Sequence, residues 1–217
     1  MDDMSPSPEQ ILDLVALAGR GDRVAVVKLL ERYRGRLRRM VALRLDPRLQ
    51  GRVDASDVIQ EGYLDAMTRL EEFARDPRVP FYIWLRFLVG QRVQEQHRRH
   101  LGSPGRDVGR EISIYRGAMP GASTGVLAAR LLGKLTSPSQ AAQRAERKVR
   151  LQEALNRMDP LDREMLVLRH YEQMTNGDAA AALGLDKSAA SKRYTRALIR
   201  LKEILAGFSA AISGEER

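Results

Sequence analysis

The sequence predicts an all-α protein of two small helical domains joined by a long linker. Apolar residues recur every three or four positions on both sides of a glycine-rich segment, which is typical of amphipathic helices. Helix-start residues stand before several of these periodic stretches. The glycine-rich segment itself has linker composition. The predicted divisions are a disordered leader at 1–8, a first domain at 9–101, a linker at 102–140, a second domain at 141–208 and a tail at 209–217.

Composition and charge favour a polyanionic partner. The 217 residues carry a formal net charge of +9, and the sequence pI is about 10.2, which indicates nucleic acid. Nucleic acid is favoured over a membrane, and we expect no membrane partner, because no apolar run reaches spanning length and no signal segment opens the chain. The absence of cysteine excludes disulfides and thiolate metal sites and fits a reducing cytoplasm. With three histidines, most histidine-based active sites are hard to build, so we expect no enzyme and no cofactor.

Two helices are predicted before residue 46. The first begins near Glu9 and breaks at Gly19–Gly21. The second runs from about Asp22 to Leu45, and Asp46-Pro47 closes it because a residue before proline avoids helical geometry. Arginines decorate its polar side, while its apolar side consists of Val26, Val27, Leu30, Tyr33, Leu37, Met40 and Val41.

A capped acidic helix follows, with Asp54 as the N-cap and Asp57 near its positive end. Its predicted buried face consists of Ile59, Tyr63, Ala66, Met67, Leu70 and Phe73. The opposite face carries Asp57, Gln60, Glu61, Asp65 and Thr68. Such a face is either simply solvated or a recognition surface for a basic or polar partner helix, and the helix alone leaves both readings open.

The next helix combines aromatic and basic residues. Two prolines in the loop 74–80 force a turn, and a new helix opens near Phe81. Aromatic rings beside guanidinium groups suit single-stranded or melted nucleic acid, although core packing is the stronger expectation for Trp84. His97 and His100 stand three residues apart, but without cysteine or a third ligand we predict no metal site.

The second domain is predicted from its capping residues. A short helix is expected inside the linker, over Val126–Leu135. Asp159 caps a helix that has Pro160 in its first position. Thr175 opens a short helix, Ala179–Leu183, which ends at Gly184. Asp186 or Ser188 then caps a longer helix whose inward residues are Ala190, Tyr194, Ala197, Leu198, Leu201 and Leu205.

Two helices joined by a tight glycine-containing turn, the second one basic at its start, predict a helix-turn-helix. The opening residues of its second helix face base edges, and Arg196 is better placed for phosphate. The residues expected at base edges are Lys187, Ser188, Ala189, Ser191, Lys192 and Arg193. The alternative is a structural hairpin with a solvated basic face.

Taken together, these stretches resemble the bacterial extracytoplasmic-function (ECF) sigma factors of the sigma-70 family. DVIQEGYLDAMTRLEEF resembles the family's core-binding helix, and FYIWLRFL resembles its F-x-x-W-L-x-x-[IL] segment. LNRMDPLDREMLVLRHYEQMT and AAALGLDKSAASKRYTRALIRLKEIL resemble its C-terminal helix-turn-helix domain. The resemblance covers about residues 19–101 and 147–205, and the order of the segments is that of the family.

The resemblance implies a promoter-recognition subunit that binds core RNA polymerase and promoter DNA and directs transcription initiation. It implies that Asp57, Gln60 and Glu61 meet the polymerase. It implies that minus-ten DNA is bound by Phe73, Arg78, Trp84, Gln91, Arg92, Arg98 and Arg99, with Gln91 at a position where the family often has asparagine. It implies that Lys187, Ser188, Ser191, Lys192, Arg193 and Arg196 bind the minus-thirty-five element. Whether an anti-sigma factor is a further partner stays open.

Two rival hypotheses come from other classes of protein. A helix-turn-helix regulator that binds an operator as a dimer explains Lys187 to Arg196, but it leaves the acidic helix and the aromatic helix without a role. A magnesium enzyme built on Asp54, Asp57 and Glu61 satisfies the preference of Mg²⁺ for carboxylates. However, no nucleophile or second ligand cluster accompanies those residues.

Overall fold

The computed structural model describes residues 7–49, 51–101, 121–132 and 141–215, and all regular elements there are helical. The chain divides into two compact units, one built around the helices before residue 102 and one around those after residue 120. The first unit contains α1 (Pro8–Gly19), α2 (Arg23–Arg44), a 3-10 turn (Pro47–Leu49), α3 (Ala55–Arg75) and α4 (Phe81–Leu101). The second contains α5 (Thr124–Leu131), α6 (Ala141–Arg157), α7 (Pro160–Leu166), α8 (Asn176–Leu183) and α9 (Lys187–Glu215). The all-α fold class is confirmed.

Local capping sets the helix boundaries of the first unit. Ser7 caps α1 through a reciprocal pair of hydrogen bonds with Gln10, so the helix starts within the predicted leader, of which residues 1–6 lie outside the described residues. Gly21 ends α1 at a positive φ of 92°, a conformation that glycine adopts at low cost. The next residue, Asp22, accepts hydrogen bonds from Val24 and Ala25 and so caps α2. The chain therefore reverses between α1 and α2 within a few residues.

The core of the first unit is packed between α2, α3 and α4. Leu37, Met40, Leu85 and Val93 are fully or almost fully buried. Gly62 allows α3 to approach α4, because a Cβ atom there would lie 2.5 Å from Val89 Cγ2 and 3.0 Å from Val89 Cα. The absence of a side chain at this one position thus sets the α3–α4 spacing.

Tyr63 ties α3 to α2 by its polar end. Its hydroxyl donates a hydrogen bond of 2.8 Å to the Leu30 carbonyl oxygen. Burial raises the pKa of Tyr63 to about 12, because an apolar environment disfavours the phenolate. The hydroxyl therefore remains a donor at neutral pH.

In the second unit, Asp159 caps α7 by accepting hydrogen bonds from Leu161 and Asp162, and Pro160 takes the first helical position, as predicted. The helix continues into a π-helical turn, Val167–Tyr171. The buried core includes Leu155, Met165, Leu166 and Leu168. The short α5 ends earlier than predicted, and residues 133–135 lie outside the described residues, as does most of the predicted linker.

The turn of the helix-turn-helix is closed by main-chain hydrogen bonds. Gly184 donates to Ala181 and Leu185 donates to Ala180, with Gly184 at a φ of 63°, which is a Schellman arrangement. Asp186 then caps α9 by accepting a 2.8 Å hydrogen bond from Ala189. Of the two predicted caps, Asp186 is confirmed. The predicted cap Thr175 is confirmed, since it accepts from the Asp178 amide, but the helix begins at Asn176, so the predicted start at Ala179 was wrong.

Some apolar residues assigned to the core lie outside it. Met67 is 49% exposed, Leu198 39% and Val27 52%, whereas periodicity predicted them on buried faces. Each lies at the margin of its helix's apolar stripe. Successive residues of a helix point about 100° apart, so a residue at the margin of the stripe can be exposed although its spacing fits the buried face. Among the helices of the described residues, none is both long enough and apolar enough to cross a membrane.

Candidate nucleic-acid and partner interfaces

The polar face of α3 begins with exposed groups and becomes covered farther along the helix. Asp57 and Gln60 are exposed, whereas Glu61 is half-buried. The Gln96 side chain of α4 donates a long, 3.4 Å hydrogen bond to Glu61 Oε1. The start of this face is therefore open to a partner, while Glu61 and Asp65 contact α4.

Arg92 of α4 is held by carboxylates. Its Nε donates to Asp65 Oδ2 at 2.6 Å and its Nη2 to Asp65 Oδ1 at 2.5 Å, which is a bidentate pair. Its Nη1 donates to Glu95 at 2.7 Å, and Glu95 also accepts from Arg99. The hydrogen bonds that Arg92 donates to Asp65 raise the pKa of its guanidinium above the ordinary value. The guanidinium therefore links α3 to α4.

The aromatic residues of the predicted minus-ten surface form a cluster inside the first unit. The rings of Phe73 and Trp84 are stacked, with centroids 4.4 Å apart and planes 19° apart. Phe81 lies 5.5 Å from Trp84. Phe73 is 7% exposed and Trp84 8%, so neither ring has a free face for a base. The cluster joins the end of α3 to the start of α4.

The remaining predicted minus-ten residues lie near the surface. Arg78 is exposed in the loop after α3 and pairs with Asp76 at 2.7 Å. Gln91 is half-buried, whereas Arg98 and Arg99 are exposed at the end of α4. Because a guanidinium carries five N–H donors, the exposed arginines at the end of α4 suit phosphate contacts.

The two histidines of α4 do not combine into a metal site. His97 Nε2 accepts a 3.0 Å hydrogen bond from the Asp46 main-chain N–H, which requires a neutral ring. Burial lowers the pKa of His97 and so favours that state. Within the described residues, no group of three or more metal-ligating side chains comes together, and this includes Asp54, Asp57 and Glu61.

One face of α9 is a continuous stripe of exposed polar residues. Ser188, Ser191, Lys192 and Thr195 are exposed and share a face by the helical repeat. Arg196 is exposed beside them. Sequence reasoning missed Thr195, although its spacing of four from Ser191 and seven from Ser188 is the signal that identifies it.

Arg193 lies off this stripe. It donates to Asp162 at 2.6 Å and contacts Asp159 at 3.5 Å, and 22% of its side chain is exposed. The pair joins α9 to the first turn of α7. The sequence prediction grouped Arg193 with the base-reading residues, whereas here its guanidinium faces α7.

An exposed acidic face in one helical unit and a helix-turn-helix with a polar and basic stripe in the other define a DNA-binding protein of two helical domains. Comparison with known families gives two matches in the same order along the chain. The family model for sigma-70 region 2 matches residues 29–101, and the model for sigma-70, region 4 matches residues 148–201.

Individual relatives agree with the family models. The ECF RNA polymerase sigma factor SigD of Mycobacterium tuberculosis is 30% identical over 203 residues, which cover 92% of this chain and 86% of SigD. The RNA polymerase sigma factor NccH of Alcaligenes xylosoxydans is 27% identical over 194 residues, covering 88% of this chain and 92% of NccH. A solved structure of CnrH in complex with the cytosolic domain of CnrY shares the fold, with a TM-score of 0.51, 22% identity and coverage of 90% of this chain and 97% of that one.

The chain belongs to the ECF sigma factors of the sigma-70 family. Its function is to bind core RNA polymerase, recognise the minus-ten and minus-thirty-five promoter elements and direct transcription initiation.

Proposed function

We propose that the open end of the α3 polar face, formed by Asp57, Gln60 and Glu61, is the surface that docks on core polymerase. The single observation that carries this proposal is the contrast within one helix face: Asp57 and Gln60 are exposed, whereas Asp65 is bound to Arg92. Glu61 lies at the covered edge of this surface, where its Oε1 accepts a long hydrogen bond from Gln96 and its Oε2 is buried without a hydrogen-bond partner, so a partner that supplies a donor there would satisfy the carboxylate. A basic or polar partner helix would complement these groups.

Minus-ten DNA is contacted, in this proposal, by Arg78, Gln91, Arg98 and Arg99. The three arginines are exposed and suit phosphate oxygens, while the half-buried Gln91 suits a base edge. Phe73, Trp84 and Arg92 contribute by holding α3 and α4 together. The burial of Phe73 and Trp84 and the pairing of Arg92 with Asp65 favour this structural role over direct contact with DNA.

The minus-thirty-five element is read, in this proposal, by the exposed stripe of α9. Ser188, Ser191 and Lys192 face base edges in the major groove, and Lys187 and Arg196 contact phosphates. We add Thr195 to this surface because it completes the stripe. Arg193 supports the surface by fixing α9 to α7 through Asp162.

We also propose that the chain works in the cytoplasm, where polymerase and promoter DNA are found, and that it has no catalytic activity of its own. CnrH was solved with the cytosolic domain of CnrY, which supports regulation of this chain by a binding protein of the anti-sigma kind. Such a partner would compete with core polymerase for this chain. Adding the partner to an assembly reaction should therefore reduce the amount of holoenzyme formed.

The docking surface is tested by run-off transcription with purified core polymerase on a pool of promoter-containing genomic fragments. Asp57→Arg/Glu61→Arg should abolish specific starts and assembly with core polymerase. The matched control is Glu71→Arg/Glu72→Arg, which makes the same charge change on the same helix about 19 Å farther along and should leave starts intact. Equal losses in both double variants would contradict the proposed surface. A chain that shifts duplex DNA alone and leaves polymerase unaffected would instead support the operator-binding regulator.

A further inference from the structure

The first turn of α8 holds the first turn of α9 through one side chain. Asn176 Nδ2 donates to the Lys187 carbonyl oxygen at 2.9 Å and to Ser191 Oγ at 3.0 Å. A carbonyl oxygen can only accept, so the amide nitrogen, and not the amide oxygen, must face Lys187. Both N–H groups of the amide are then used within α9.

This contact occupies one of the two acceptor lone pairs of Ser191 Oγ and so favours a donor role for its hydroxyl. Ser191 Oγ accepts from Asn176, so its own hydroxyl hydrogen remains available to donate. Ser191 is exposed on the polar stripe of α9. In the major groove a donor there meets acceptors, namely guanine O6 and N7, adenine N7 or thymine O4.

A second contact joins the same two turns. A Cβ atom placed on Gly177 would lie 3.4 Å from Lys187 Cε, so the aliphatic stem of Lys187 lies close to the start of α8. A side chain at Gly177 would meet that stem at an ordinary van der Waals distance. Asn176 and Gly177 thus lie beside the turn of α9 at which the DNA-reading surface begins.

We infer that Asn176 is a positioning residue for promoter reading, which holds Ser191 as a hydrogen-bond donor toward an acceptor on one base pair of the minus-thirty-five element. This inference rests on the proposed role of the α9 stripe and deepens it. Asn176 itself touches no base and acts through Ser191.

A purely structural role for Asn176 predicts a different result. Loss of a stabilising link would weaken transcription from all promoters by a similar factor. Loss of the donor at Ser191 changes the relative strength of promoters that differ at one base pair, by roughly fivefold for one hydrogen bond. The pattern of preference, and not the total activity, therefore separates the two roles.

The experiment uses holoenzyme reconstituted from core polymerase and the full chain. A promoter obtained from the genomic pool is randomised at its minus-thirty-five element, and transcripts are counted for each sequence. The variants are Asn176→Ala, Asn176→Asp, Ser191→Ala and Asn176→Ala/Ser191→Ala. The aspartate has the shape of asparagine but, when ionised, no hydrogen-bond donor. The control is Asn156→Ala, which makes the same change at an exposed asparagine of α6.

Ser191→Ala should reduce the preference at one base pair about fivefold. Both Asn176 variants should reduce it at the same position, and the double variant should lose no more than Ser191→Ala alone. If Ser191→Ala changes the preference but the Asn176 variants scale all sequences equally, the inference is overturned and the proposed stripe stands. If Ser191→Ala changes no preference, both the inference and the base-reading role of Ser191 are overturned, while the docking of α3 is judged separately by the Asp57 and Glu61 variant.

Discussion

Arg92 of α4 has two possible roles, contact with DNA or support of the helix packing, and its replacement decides between them. Sequence alone predicts that Arg92 contacts a phosphate of the DNA. In the structure its guanidinium forms a bidentate pair with Asp65 across the α3–α4 contact. We predict that Arg92→Gln lowers the stability of the first unit and leaves the number of phosphate contacts unchanged.

The magnitude follows from the exposure of the pair. The side chains of Arg92 and Asp65 are 30% and 18% exposed, so the pair lies between a surface ion pair, worth up to about 1 kcal/mol, and a buried charged hydrogen bond, worth about 1.5–3 kcal/mol. We therefore expect a coupling free energy of about 1–2 kcal/mol between the two side chains. Glu95 remains as a partner for Arg92 in the Asp65→Asn variant, which favours the lower part of that range.

The assay is a double-mutant cycle of Arg92→Gln, Asp65→Asn and the two combined, measured by urea unfolding. Trp84 is the single tryptophan of the chain and stacks on Phe73 in the core of the first unit. Its fluorescence therefore reports the unfolding of that unit alone. The same variants are then tested as holoenzyme for the salt dependence of promoter binding.

A phosphate contact contributes about 0.7–0.9 to the slope of log affinity against log salt concentration. Arg92→Gln should leave this slope unchanged, whereas Arg98→Gln, at an exposed position, should reduce it by about that amount. A reduced slope for Arg92→Gln, with no coupling to Asp65, would refute the supporting role and restore the direct contact.

Two further predictions concern the first unit. Gly62→Ala should destabilise it by about 1–2 kcal/mol, because the new methyl group meets Val89 at 2.5 Å and overpacking outweighs the gain in helix propensity. Gly35→Ala should instead stabilise it, because a Cβ there has no neighbour nearer than 4.0 Å. Urea unfolding followed by tryptophan fluorescence measures both effects. Because the pKa of His97 is lowered in the folded protein, the unfolded chain binds a proton more readily, and the free energy of unfolding should fall as the pH drops below the ordinary value of 6.5. In His97→Gln, whose amide oxygen can still accept from the Asp46 N–H, the free energy of unfolding should depend less on pH below 6.5. An unchanged pH dependence in this variant would show that His97 is not its source.

Helix boundaries were predictable from the sequence because local chemistry sets them. Asp54 caps α3 through the Ser56 amide, Asp159 caps α7, and Gly184 takes the positive φ that ends α8. Each device operates within a few residues of the chain. The order of the helices, and of the segments that resemble the family, was likewise predictable, because the pattern of each segment is local.

The roles of individual polar residues were less predictable, because their partners lie far away along the chain. Arg92 and Asp65 are 27 residues apart, and Arg193 and Asp162 are 31 residues apart. Gly62 carries no sequence signal that identifies Val89 as its neighbour. Only the packing of one helix on another decides which charged groups are paired and which remain at the surface.

The same device occurs in both units. An arginine on a helix proposed to meet DNA is bound to an aspartate on a neighbouring helix, Arg92 to Asp65 and Arg193 to Asp162. Each of these arginines donates hydrogen bonds to the protein, and each pair adds nothing to the net charge of +9, so we expect neither arginine to contact a phosphate. Replacing either aspartate should therefore reproduce most of the defect caused by replacing its arginine, which a direct DNA contact would not allow. We therefore expect a count of basic residues along α4 and α9 to overestimate the DNA surface, by the number of arginines that are paired with acidic residues of neighbouring helices.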